Sequence, residues 1–179
     1  MTIIQDPVVR ALDKLVRTDS AADIGAALAR VVQQLGASTR LMAWEVVPLD
    51  VFSGGLPEGI RSCWIFVIRA GAITGAERHP NSHQRSFSLI GSGTFELHDG
   101  AVWLAHPLVS TDVAGNGGRW ISIPRSTWHR LFVGPGTWGM VSFHTVAFGE
   151  LVEERPLRPD HPYPMTPTGY LLFSRCLAT

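Results

Sequence analysis

The sequence predicts an all-β sandwich or barrel entered through two helices, on three observations. From about residue 40 the apolar runs are short and rich in Val, Ile, Phe and Trp, and Gly, Pro, Asn or Asp bounds them about every eight to twelve residues, the rhythm of an all-β domain. Before residue 40 the apolar positions recur at helical intervals instead. "ELHDGAVWLA" sets Asp99-Gly100 between two strand-like runs, the sequence of a tight type I′ hairpin.

The first helix is marked by Asp6 as N-cap and Pro7 at the first helical position, with Val8, Leu12, Leu15 and Val16 on one face. In the second, Ser20 and Asp23 have capping-box spacing, Ile24, Leu28, Val31, Val32 and Leu35 form an apolar stripe, and Gly36 ends the helix. The two stripes read as a packing face or a dimer contact. Strands are expected over 41–47, 62–69, 72–78, 84–90, 93–98, 101–108, 119–123, 129–133 and 137–147. "ERPLRPDHPYPMTPTGY" cannot donate ladder hydrogen bonds at its prolines and is expected to run as an extended surface tail, with one last apolar run at 170–173. The chain therefore divides into a helical segment at 1–38, a β domain at 39–150 and a Pro-rich extension at 151–179.

Composition narrows the function. The 179 residues suit one core, and fifteen basic residues balance fifteen acidic ones with no dense basic face, so nucleic acid is not an expected partner. The amino terminus lacks the basic start and long apolar run of a secretory signal, and no window reaches the length of a membrane span, so the expectation is a cytoplasmic protein with no membrane partner. Cys63 and Cys176 lie far apart without CxxC spacing and read as small buried hydrophobes.

Coordinating groups crowd into "GAITGAERHPNSHQRSFSLIGSG". On a strand over 72–78, Glu77 and His79 share a face and Arg78 takes the other. Pro80, Asn81 and Ser82 supply turn chemistry that returns His83 or Gln84 toward the same place. His129 stands at the start of a strand in "WISIPRSTWHRLFV" and offers a further imidazole. Glu77, His79 and His129 make a set of two histidines and one carboxylate that binds Fe(II) on one face; replacing Glu77 by His83 gives a three-histidine set suited to Zn, Fe, Cu or Ni. Both sets are open on the sequence alone. Ser142 and His144 share a face of the last long strand, and if it points inward His144 is a candidate general base or a group supporting the ligands. Phe66, Ile68, Phe87, Trp120, Trp138 and Phe143 are candidate walls or core.

At these residues the chain resembles the cupin superfamily. The first cupin motif is Gly-x5-His-x-His-x3,4-Glu-x6-Gly; here Gly71, Glu77, His79, Gln84 and Gly91 stand in that register, with Glu for the first His and Gln for the Glu. The second is Gly-x5-Pro-x-Gly-x2-His-x3-Asn; here Gly118, Pro124, Ser126, His129 and Val133 stand in register, with Ser for Gly and Val for Asn. The resemblance implies a jelly-roll β-barrel that packs as a homodimer, with Glu77, His79, Gln84 and His129 at the metal-ligand positions. Exchanging His for Glu at 77 while losing Glu at 84 conserves the charge of the set. It further implies a divalent ion, Fe(II) before Zn, Ni, Mn or Cu, and a dioxygenase acting on a small-molecule substrate. An isomerase or lyase that uses the metal as Lewis acid and a non-catalytic binding protein are the alternatives.

Overall fold

The computed structural model describes residues 6–53, 55–112 and 117–156 and the backbone of 170–174. Helix α1 (Pro7–Lys14) starts where Asp6 accepts the Val8 N–H at 2.9 Å, so the expected N-cap is in place. A short π-helical turn over Leu15–Asp19 leads into α2 (Ala21–Gly36). Ser20 precedes α2, but its hydroxyl donates to the Val51 carbonyl at 3.0 Å and makes no cap, so the expected capping box does not form.

The strands are β1 (Met42–Val47), β2 (Ser62–Ile68), β3 (Gln84–Ile90), β4 (Ser92–His98), β5 (Trp103–Val109), β6 (Trp120–Ile123), β7 (His129–Val133), β8 (Trp138–His144), β9 (Val152–Pro156) and β10 (Tyr170–Ser174). One antiparallel sheet runs β1-β2-β8-β3-β6 and a second runs β5-β4-β7. The segment at 71–78 forms isolated bridges at Ile73, Glu77 and Arg78 where a continuous strand was expected, and through them it links β7 to β9, which pairs with β10. β9 falls at the start of the stretch where the sequence predicted only a surface tail, and 157–169 lie outside the described residues. The hairpin also differs: β4 and β5 end at His98 and Trp103, and the Asp99 carboxylate accepts the N–H groups of Ala101 and Val102, widening the tip beyond two residues.

The five-stranded sheet is covered on both faces. Leu12, Val16, Ile24, Val31 and Leu35 of the helical segment pack against its outer face over Cys63, Ile65, Val67, Phe87 and Phe143. Phe95, Leu108, Leu131, Val133, Trp138 and Met140 fill the space between the two sheets. All seven residues of β8 are consequently buried, the polar Ser142 and His144 among them. The helices thus serve as the packing face their stripe predicted. Cys63 is buried and free, and Cys176 lies outside the described residues. Among the described residues no helix is long and apolar enough to cross a membrane.

Candidate metal centre

Backbone pairing assembles the centre. Thr74 donates to the Leu131 carbonyl at 3.0 Å, and Glu77 and His129 exchange both backbone hydrogen bonds, at 2.9 and 2.8 Å. They are a directly opposed antiparallel pair, so their side chains leave on one face. One residue on, Arg78 and Glu154 exchange bonds at 3.0 Å and dock β9 beside the site. The turn after His79 is held where the His79 carbonyl accepts the Ser126 N–H at 3.0 Å. Ser126 occupies the motif's glycine position and has φ +62°, the left-handed conformation that favours glycine there.

Glu77, His79 and His129 bring one ligand atom each within 4.8 Å of one another. The Nδ1 atoms are spent on carbonyls, His79 on Val152 at 3.3 Å and His129 on Thr127 at 3.1 Å. A carbonyl only accepts, so each Nδ1 carries the proton and each Nε2 is left to a ligand role. His129 Nε2 lies 3.5 Å from Glu77 Oε1, a long contact that leaves the nitrogen without a hydrogen bond. A lone pair facing an anionic oxygen at that range is relieved by a cation between them, a proton or a divalent ion. Two imidazole nitrogens and one carboxylate are also the donor set that divalent transition metals take. The residues therefore fit an ion.

The electrostatics favour the ligating forms. Burial works against ionisation of Glu77, but the positive charge of His129 and His79 in their protonated forms and of the Arg155 guanidinium outweighs it and brings the carboxyl down to about 2. Burial, helped by His129, lowers His79 to about 4. His144 is pushed well below the ordinary histidine range, chiefly by burial.

A cavity of about 260 Å³ opens over this group. Its walls include Trp64, Phe66, Ile68, Phe95, Leu131 and Met140. Gln84 and His144 face it too, as does Ser142, so the inward orientation considered for His144 is the one observed. The His79 ring centroid lies 5.2 Å from that of His129 and 5.5 Å from that of His144. His83 is not part of the group. It lies on the opposite face from Gln84, where its Nε2 meets Ser122 Oγ at 2.7 Å, so the three-histidine alternative is not assembled. Of the candidate walls, Phe66 and Ile68 line the cavity, whereas Phe87, Trp120 and Phe143 sit under the helices and Trp138 is core between the sheets.

Two residues that sequence reasoning missed complete the rim. Arg155 Nη2 lies 3.0 Å from Glu77 Oε2, and Arg155 Nε lies 2.6 Å from Glu153 Oε1. Both come from β9, and the alternation of Glu153 and Arg155 in "VEERP" was the available signal.

No protein-family model and no curated protein sequence matches the chain. Among solved structures, the coconut allergen cocosin aligns with a TM-score of 0.50 at 16% identity, over 66% of this chain and 29% of that one. Oxalate oxidase in complex with the substrate analogue glycolate aligns with a TM-score of 0.46 at 16% identity, over 61% of this chain and 53% of that one. KdgF from Halomonas sp. aligns with a TM-score of 0.43 at 14% identity, over 61% and 85%. The aligned region thus spans about half of the oxalate oxidase chain and under a third of cocosin. The likeness is one of fold: two antiparallel sheets packed face to face, here with two helices added over one face of the sandwich.

Proposed function

We propose that this cupin holds a divalent metal ion through Glu77, His79 and His129 and acts on a small organic molecule as a non-haem Fe(II) dioxygenase. The observation that carries the proposal is the convergence of two histidines and one carboxylate within 4.8 Å at the edge of a largely apolar cavity. Glu77, His79 and His129 would hold divalent iron, which would supply a redox-active Lewis acid there. The chain's own residues do the rest. The Val152 and Thr127 carbonyls fix the two imidazole tautomers, and Arg155 holds one oxygen of Glu77 while the other faces His129. The aromatic and aliphatic walls exclude water.

One observation favours a second reading, an isomerase or lyase. His144 is buried in the cavity wall and its Nε2 has no partner, which makes it the candidate for proton transfer with a bound molecule. Both readings are tested on protein purified without chelator or histidine tag, by elemental analysis of the wild type beside His79→Ala and His129→Ala. The expected result is near-stoichiometric metal that both substitutions remove; metal at background in the wild type overturns both. Oxygen uptake that requires Fe(II) and stops in His79→Ala then supports the dioxygenase, and anaerobic turnover with Zn or Ni supports the isomerase or lyase instead.

A further inference from the structure

We infer that the cavity chooses its ligand through Gln84 and His144, which together select a neutral, ring-sized compound presenting a hydroxyl or N–H donor. The inference rests on the reading of this cavity as the ligand site and names the chemistry it takes.

Size and walls set the first limits. An apolar cavity of about 150 Å³ admits a benzene ring. The cavity of about 260 Å³, walled by Trp64, Phe66, Phe95 and Leu131, suits one or two fused rings.

The polar wall sets the donor requirement. Gln84 and His144 are paired residues of β3 and β8, so their side chains stand together on the inner face of the sheet. Gln84 is 7% exposed and His144 1%. Each spends one polar atom on the protein. Gln84 Nε2 donates to Ser86 Oγ at 3.0 Å, and Ser86 Oγ meets Ser142 Oγ at 2.7 Å, which leaves Gln84 Oε1 with no partner. Ser82 Oγ receives the Thr145 N–H at 3.2 Å and lies 3.3 Å from the His83 carbonyl. His144 Nδ1 lies 3.2 Å from that hydroxyl, and its Nε2 has no partner.

The buried Gln84 Oε1 only accepts, so it repels a carboxylate and is satisfied by O–H or N–H, while the unpartnered His144 Nε2 beside it pairs with the same hydroxyl in either tautomer. Trp64 lies in the same wall, with its ring centroid 5.6 Å from that of His144, and its indole N–H is also unpartnered. A hydroxyl, which both donates and accepts, answers this set better than a purely donating group. Leaving such groups unmet costs about 1–3 kcal/mol apiece, so a ligand whose donor is blocked loses about tenfold or more in affinity.

The test compares 2-naphthol with 2-methoxynaphthalene, which keeps the rings and removes the donor, by calorimetric titration into protein as purified and into zinc-loaded protein. Elemental analysis is run on the same samples. The wild type is expected to bind the naphthol at least about tenfold tighter than the ether in both forms. Gln84→Met and His144→Phe, made separately so that one folding failure does not decide the matter, are expected to bring the ratio toward one while keeping affinity for the ether. Equal affinities in the wild type, or a ratio unchanged in both variants, overturns the inference. Loss of zinc in Gln84→Met with the donor preference intact also overturns it and assigns Gln84 to the ion. Donor preference without any metal sinks the metal proposal and leaves this inference standing, while metal without donor preference does the reverse.

Discussion

Gly91→Ala tests how the two sheets are joined. Gly91 is the single residue between β3 and β4, and the chain changes sheets there at φ +71°. A Cβ at this position would sit 2.2 Å from the Thr137 carbonyl oxygen and 3.3 Å from the Trp138 Cα. Both atoms are backbone at the start of β8, the strand that ends in His144, so no flexible side chain can give way. An L side chain in the left-handed region costs about 1–2 kcal/mol, and forcing extra volume into a packed region costs about 1–3 kcal/mol. Together about 2–5 kcal/mol is lost, against a total of about 5–15 kcal/mol for a domain of ordinary stability. Urea unfolding followed by tryptophan fluorescence reads this as a lower midpoint. Gly100→Ala is the control, because Gly100 has φ +104° with nothing within 4 Å of an added Cβ, so only the backbone cost applies. If Gly91→Ala loses no more than Gly100→Ala, the close approach of β8 to the β3–β4 joint is not what requires glycine.

Further expectations follow from the site and the helices. His83→Ala is expected to leave metal content at the wild-type level while His79→Ala abolishes it, measured by elemental analysis on matched preparations, because His83 is turned away toward Ser122. With its folded value lowered to about 4 from 6.5, His79 binds its proton more readily in the unfolded chain, so its contribution is fully present above pH 6.5 and is lost as pH falls from 6.5 toward 4. At 1.36 kcal/mol per unit this is about 3 kcal/mol; unfolding midpoints in urea across that window should fall for the wild type and fall less for His79→Ala. Leu12→Ala removes a fully buried side chain from the interface of α1 with the sheet, and a loss of about 2–5 kcal/mol is expected by urea unfolding, with the metal content of the folded fraction unchanged.

The strands were legible in the sequence wherever turn residues flanked an apolar run, and β2, β3, β7 and β8 lie within a residue or a few of their expected limits. β9 was not, because "VEERP" carries three charges in five residues and opens a proline-rich stretch, so neither hydropathy nor propensity marks it as a strand. Tertiary pairing makes it one: Arg78 and Glu154 exchange backbone hydrogen bonds and also form a side-chain ion pair at 2.5 Å. What was lost with β9 was the rim of the site, since Glu153 and Arg155 ride on it. The wall residues failed for a different reason. In a sheet buried on both faces, apolar character does not say which face a residue takes, so Phe66 and Phe87 look alike in sequence although one lines the cavity and the other lies under the helices.

Strand parity accounts for the site itself. β3 begins with Gln84 inward, which sends Ser86 and Ser88 inward and turns His83, Arg85 and Phe87 outward. That parity separates two residues adjacent in sequence: Gln84 enters the cavity, and His83 joins the outer face, where Arg85 also pairs with Asp6 at the start of α1. The carboxylate of the candidate centre therefore comes from the bridging segment and not from β3. Its position there has a consequence that a glutamate at 84 would lack, because Glu77 reaches the rim where Arg155 can hold its second oxygen at 3.0 Å, while position 84 is ringed by serines and His144. An anion buried at 84 would have no such counter-charge, and a neutral amide is what that wall accommodates. A carboxylate at 77 and a neutral amide at 84 are thus consistent with where the fold supplies positive charge.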